Sequence, residues 1–136
     1  MRVPLVAANW KMHGDQSWAD KPAAFDALLP AEERADIDVL ICPPFPFIAG
    51  LANGVAVHVG AQSCHAEIKG AHTGEVSAPM LAAIGASYVI AGHSERRAAG
   101  ESNPAVKAKT QAILDAGLTA ILCCGESLET RQAGDA

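Results

Sequence analysis

No apolar run in this chain of 136 residues approaches the roughly 18 residues that a membrane-crossing helix needs. A secretory pattern is missing too, because the apolar stretch Val3–Ala8 is short and leads straight into polar Asn9. Positive charge is scarce: ten Lys and Arg stand against fifteen Asp and Glu, for a formal net charge of −5. No run of basic residues exceeds two, which argues against a nucleic-acid-binding surface. Aromatics are few, with two Trp, one Tyr and three Phe. The 50% hydrophobic content excludes the disordered class, but so much of it is alanine that it overstates the core. Cys42, Cys64, Cys123 and Cys124 show no C-x-x-C spacing and read as reduced core thiols. His13, His58, His65, His72 and His93 form no H-E-x-x-H or cysteine–histidine cluster, so a metal site has little support. The expectation is a single soluble, cytoplasmic domain over residues 1–136, with no nucleic acid, no membrane and no metal.

What is present is an alternation of short β-rich runs and helical stretches. Strand candidates are Val3–Ala8, Asp38–Cys42, Ala56–Ala61, Tyr88–Gly92 and Ala120–Cys124. Their onsets mostly lie about 32 residues apart, the size of a βα unit. Their continuously apolar character suits a parallel sheet covered on both faces. Ser77 is placed to cap a helix carrying Met80, Leu81 and Ile84 and stopping at Gly85. Asn103 followed by Pro104 marks another start, for a helix that buries Val106, Ile113 and Leu114 and ends at Gly117. Before the second strand, Trp18, Phe25, Leu28 and Leu29 share a helical face, with Pro22 in the first turn or at a bend. Pro43, Pro44 and Pro46 hold the segment after the second strand in a turn. Such alternation leaves an open doubly wound sheet or an eight-stranded βα barrel. Where an open sheet usually carries G-x-G-x-x-G, this chain has A-N-W-K-M-H-G, which weakens a nucleotide-binding reading.

Polar residues gather just past the C-terminal ends of the strands, the side on which parallel βα folds build their sites. Asn9 and Lys11 follow the first strand; Gln62 and G-A-H-T-G-E-V-S (70–77) follow the third. G-H-S-E-R-R (92–97) follows the fourth and C-C-G-E (123–126) the fifth. Taken singly, Lys11 reads as a solvated loop lysine, His93 as a hydrogen-bonded core histidine, and Glu95 and Arg96 as a solvated helix start. Taken together, a cation, an amide and an imidazole at successive strand ends suit an anionic substrate whose carbonyl must be polarised.

Through A-N-W-K-M (8–12), G-A-H-T-G-E-V-S (70–77), I-A-G-H-S-E-R-R (90–97) and C-C-G-E-S (123–127), the sequence resembles the triosephosphate isomerase family along essentially its whole length. The resemblance implies an α/β fold, a partial (βα)8 TIM barrel of about four βα units plus a fifth parallel strand. Five parallel strands in sequential order, forming an arc with the helices on one side, are expected. It implies interconversion of dihydroxyacetone phosphate and glyceraldehyde 3-phosphate, in glycolysis and gluconeogenesis, without metal or cofactor. Asn9 and Lys11 match the family's substrate-binding pair, and Lys11 would counter phosphate and enediolate charge. His93 matches the electrophile that polarises the carbonyl, and Glu95 an acidic residue that orients Lys11. Thr73 and Glu75 match a loop that enters a neighbouring subunit, where Glu75 meets Arg96.

The family's chains run to roughly 250 residues with eight βα units. The present sequence holds five strands, and neither the family's Y-E-P-type glutamate base nor its glycine-rich phosphate cradle occurs in it. Two readings follow: the N-terminal part of an isomerase, inactive without its C-terminal half, or a non-catalytic half-barrel module that self-associates. Each implies a partner, a homo-oligomer or a complementary C-terminal half.

Overall fold

The computed structural model describes residues 3–28, 30, 32, 36–52 and 57–134. Five short strands, β1 (Leu5–Asn9), β2 (Asp38–Cys42), β3 (His58–Ala61), β4 (Tyr88–Ala91) and β5 (Thr119–Leu122), form a parallel sheet in the order β1-β2-β3-β4-β5. Sequential order makes this a curled half-barrel; a doubly wound sheet would hold β1 in its middle. The register sets Asn9 beside Cys42 and Ala91 beside Leu122, so the C-terminal strand ends share one rim.

Side chains alternate across the sheet, and each face has its own cluster. Val59, Ala61, Val89 and Ala91 enter the larger one, where helical Ile48, Leu51, Leu81, Val106 and Ile113 pack on them. Leu40, Cys42 and Ile90 form a smaller cluster with Tyr88 and Ile121, on the face the helices leave free. The helices among the described residues are α1 (Lys21–Leu28), α2 (Phe45–Leu51), α3 (Ala78–Ala83), α4 (Ser94–Ala98), α5 (Asn103–Asp115) and α6 (Leu128–Ala133).

Several local expectations change. The prolines after β2 do more than turn the chain: Pro44 is the N-cap of α2 and Pro46 falls in its first turn, where a missing N–H has no helical partner to lose. Ser77 occupies the N-cap of α3, but its hydroxyl makes no cap bond and is buried without a partner among the described residues. Of that helix Leu81 is buried, whereas Met80 and Ile84 meet solvent. Gly85 does end it, at φ 93°, and a Cβ there would lie 2.7 Å from Ala52 Cβ. The cap of α5 is Ser102, whose Oγ accepts from the Ala105 N–H at 3.4 Å, and Asn103 is already helical. Val106 and Ile113 are buried there, but Leu114 is exposed.

Trp18 is not in α1. It closes a 3₁₀ turn, Gln16–Trp18, capped by Asp15, and meets Trp10 edge-on with ring centroids 5.0 Å apart. Pro22 lies buried in the first turn of α1, while Phe25 and Leu28 are exposed and Leu29 lies outside the described residues. Ala56, the expected start of the third strand, also lies outside them. Coverage on both faces fails at the sheet edges: Leu5 and Val6 of β1 and Leu122 of β5 are exposed, since among the described residues each edge strand has a neighbour on one side only.

Candidate active site

β1 ends at Asn9, whose Oδ1 accepts the Lys11 N–H at 2.9 Å. This local bond bends the chain, and Lys11 takes φ 53°, the only positive φ of a non-glycine residue among those described. A left-handed lysine costs on the order of 1–2 kcal/mol and needs holding from outside. Gln62, just past β3, does this: its Nε2 donates to Lys11 O and to Cys42 O, both at 2.8 Å. One amide thus ties the ends of β1, β2 and β3 together.

The Lys11 ammonium lies 2.8 Å from Glu95 Oε1. That hydrogen bond from Lys11 holds the Glu95 carboxyl below the ordinary carboxylate value, against a weaker push upward from burial. Both side chains are more than half exposed, so the pair orients the ammonium and adds little to stability. Glu95 is the second residue of α4, and His93 is that helix's N-cap. His93 Nδ1 accepts the Glu95 N–H at 3.3 Å. A ring nitrogen that accepts carries no proton, so the neutral imidazole bears its proton on Nε2. The 3.6 Å between Nδ1 and Glu95 Oε2 is then acceptor facing acceptor, and too long for a hydrogen bond. Asn9, Lys11, His93 and Glu95 therefore meet on one rim, with an ammonium and an imidazole N–H as donors.

Thr73 and Glu75 lie elsewhere, on the exposed segment between β3 and α3, where the Glu75 N–H donates to His72 O at 3.0 Å. Arg96 on α4 has its Nε 3.7 Å from Glu101 Oε1. No ion pair among the described residues joins Glu75 to Arg96 within the chain.

A family model described as triosephosphate isomerase matches residues 4–136. The chain belongs to the triosephosphate isomerase family. A triosephosphate isomerase of Bradyrhizobium sp. (strain BTAi1) is 51% identical over 138 residues, covering 96% of this chain and 54% of the relative. That of Symbiobacterium thermophilum is 49% identical over 141 residues, covering 100% of this chain and 54% of its own. The crystal structure of triosephosphate isomerase from Bartonella henselae matches with a TM-score of 0.89 at 39% identity, over 98% of this chain and 56% of that one. The chain spans about half the length of the triosephosphate isomerases it matches.

Around this part of a triosephosphate isomerase fold lie residues that motif reading did not find. Gln62 drew notice only as a polar residue past a strand; its reach to Lys11 depends on strand order. Lys109 Nζ lies 2.6 Å from Glu101 Oε1 and 3.4 Å from Ser63 Oγ, with the charged side chains only 11% and 6% exposed. Burial pushes the Glu101 carboxyl up, but Lys109 and Arg96 outweigh it and hold the group below the ordinary value. Of the thiols, Cys42 and Cys64 are buried and pushed up to about 12 and about 11, whereas Cys124 is exposed, which corrects the expectation of four core cysteines. A cleft of about 490 Å³ opens beside His93, lined also by Ser94, Arg97, Cys124 and Glu126. Among the described residues no group of three or more His, Cys, Asp or Glu is placed to hold a metal ion. No described helix is long and apolar enough to cross a membrane.

Proposed function

We propose that this chain supplies the electrophilic side of a triosephosphate isomerase site, acting on dihydroxyacetone phosphate and glyceraldehyde 3-phosphate. The observation that carries the reading is the junction of Lys11 Nζ with Glu95 Oε1 at 2.8 Å beside a His93 whose Nδ1 is already engaged. In the isomerisation a proton leaves the carbon beside the carbonyl and is returned to the neighbouring carbon. The electron pair left behind forms the carbon–carbon double bond as the carbonyl π pair moves onto oxygen and makes an enediolate. A hydroxyl proton passes between the two oxygens before the neighbouring carbon is protonated. His93 Nε2–H donates to that oxygen, and Lys11 counters its charge and that of the phosphate. Glu95 turns the ammonium, while Asn9 and Gln62 fix the backbone beneath it. The reading needs no metal or cofactor.

The 136 residues lack the family's base and phosphate cradle. Glu95 is a poor substitute base, since its bond to Lys11 keeps the carboxylate ionised and engaged. We therefore read residues 1–136 as one domain, the N-terminal portion of the barrel, inactive without a C-terminal half. The reading includes a homo-oligomer in which the Thr73–Glu75 loop enters a partner subunit and Glu75 meets Arg96, and a cytoplasmic role in glycolysis and gluconeogenesis. The exposed apolar residues Leu5, Val6 and Leu122 favour cover by such a half, and equally the alternative of a self-associating, non-catalytic module. Conversion of glyceraldehyde 3-phosphate by the purified 136-residue chain separates these. We expect none until the C-terminal half of a full-length relative is added. Enzyme-like turnover without it, in a sample free of contaminating isomerase by mass spectrometry, refutes the inactive-half reading. Silence after addition favours the non-catalytic module.

A further inference from the structure

Arg97, the fourth residue of α4, lines the cleft beside His93 and has been given no role so far. Its guanidinium spreads over three elements. Nε donates to Gly92 O at 2.7 Å, Nη1 to Asn103 Oδ1 at 2.6 Å, and Nη2 to Cys123 O at 3.2 Å. Gly92 follows β4 and precedes His93, Asn103 opens α5, and Cys123 follows β5. The Cys123 N–H itself donates to Ala91 O at 2.9 Å, so the guanidinium continues the β4–β5 ladder one step beyond its last backbone rung. The three acceptors are neutral oxygens, and bonds from a charged donor to such oxygens are stronger than neutral pairs. A planar fork can donate in several fixed directions at once; a lysine ammonium on a flexible stem cannot reproduce them. Gly92 is fitted to this arrangement. It takes φ 71°, and a Cβ there would lie 2.7 Å from Arg97 Nη2 and 2.9 Å from Val106 Cγ1.

We propose that Arg97 is a positioning residue for His93. By fixing the Gly92 carbonyl against β5 and α5, it sets the Gly92–His93 corner and hence the direction in which the imidazole presents Nε2–H. The ring depends on that corner, because its own bond to the Glu95 N–H is long, at 3.3 Å, and a small rotation of the 92–93 peptide removes it. The bracing stands on geometry alone; its consequence for turnover rests on the isomerase reading. A misplacement of about 1 Å at a reacting centre can cost on the order of a hundredfold in rate.

The test uses a complete barrel, this chain joined to the C-terminal half of a full-length relative, with Arg97→Lys and Arg97→Met. The readouts are the nitrogen and proton resonances of the His93 imidazole, and kcat and KM for glyceraldehyde 3-phosphate. For Arg97→Lys we expect displaced His93 resonances, and kcat lowered by on the order of tenfold or more while KM changes by less than about threefold. Added guanidinium should restore part of the kcat of Arg97→Met. Unchanged His93 resonances in a folded Arg97→Lys protein overturn the proposal, even where its thermal stability falls, because a merely structural strut would behave so. If Arg97→Met does not fold, Arg97→Lys decides. If the unsubstituted protein shows no isomerase activity, the isomerase reading fails and the resonances alone still decide the role of Arg97.

Discussion

Lys11 stands in a conformation that lysine does not choose, and three neighbours keep it there. Asn9 takes its N–H, Gln62 its carbonyl and Glu95 its ammonium. Strain held in this way by surrounding bonds is common where a charge must meet a ligand at a set angle. His93 is arranged by the same logic, with one ring nitrogen used by the chain and the other left to donate. On the isomerase reading, in a complete barrel carrying this segment, Lys11→Ala should cost about 3–4 kcal/mol of transition-state stabilisation, like the loss of one oxyanion donor. On the same reading, His93→Gln should lower kcat far more than it raises KM, because the bond it removes would strengthen as the enediolate forms. Steady-state kinetics check both, and near-wild-type turnover in either variant refutes the role given to that residue.

At the scale of elements, the buried Glu101–Lys109 pair links the residue before the α5 cap, the second turn of α5 and the segment after β3 through Ser63. Removing the nearer of its two cations leaves a nearly buried carboxylate with Arg96 alone, 3.7 Å away, so Lys109→Met should destabilise the fold at neutral pH by roughly 3 kcal/mol. The folded value of Glu101 lies below its ordinary one. Its contribution is therefore complete above the ordinary carboxylate value and is lost as pH falls through the depressed folded value. The gap between wild type and Lys109→Met should accordingly shrink on going from pH 7 to about pH 3, a pH below the ordinary carboxylate value. Urea unfolding at the two pH values measures this, and an equal gap at both contradicts it.

Across the 136 residues, the deciding feature is a sheet with two edges. Among the described residues β1 and β5 each have a neighbour on one side only, and Leu5, Val6 and Leu122 are exposed there. Unpaired strand edges beside apolar side chains are templates for another chain. The 136-residue polypeptide should therefore sediment as an oligomer, or as a complex once a C-terminal half is supplied, with amides of the 62–77 loop protected from exchange. A well-folded monomer with that loop exchanging freely would rule this out.

Strand positions and the polar rim were legible in the sequence, because each is written in a few consecutive residues; the sequential strand order followed from the family resemblance, since alternation alone leaves two parallel architectures. The run Asp38–Cys42 is apolar enough to be a strand wherever it packs, and G-H-S-E-R-R places His93 and Glu95 two residues apart at a helix start. Local signals misled where one residue serves two purposes. Prolines open helices as well as turns, so α2 is hidden in the sequence; Ser77 holds the N-cap of α3 without a cap bond, and at α5 the cap is Ser102, one residue before Asn103. An apolar stripe says that a face should be covered and nothing about what covers it, so Phe25, Leu28 and Leu114 could not be judged. The bonds that shape the site join residues far apart in the chain: Gln62 to Lys11 across 51 positions, Arg97 to Cys123 across 26. Such partners become neighbours only when strand order and register bring the C-terminal ends together. The sequence by itself determined which chemical groups line the rim, and only the tertiary structure decided which atoms meet there, because strand pairing sets distances that no local pattern encodes.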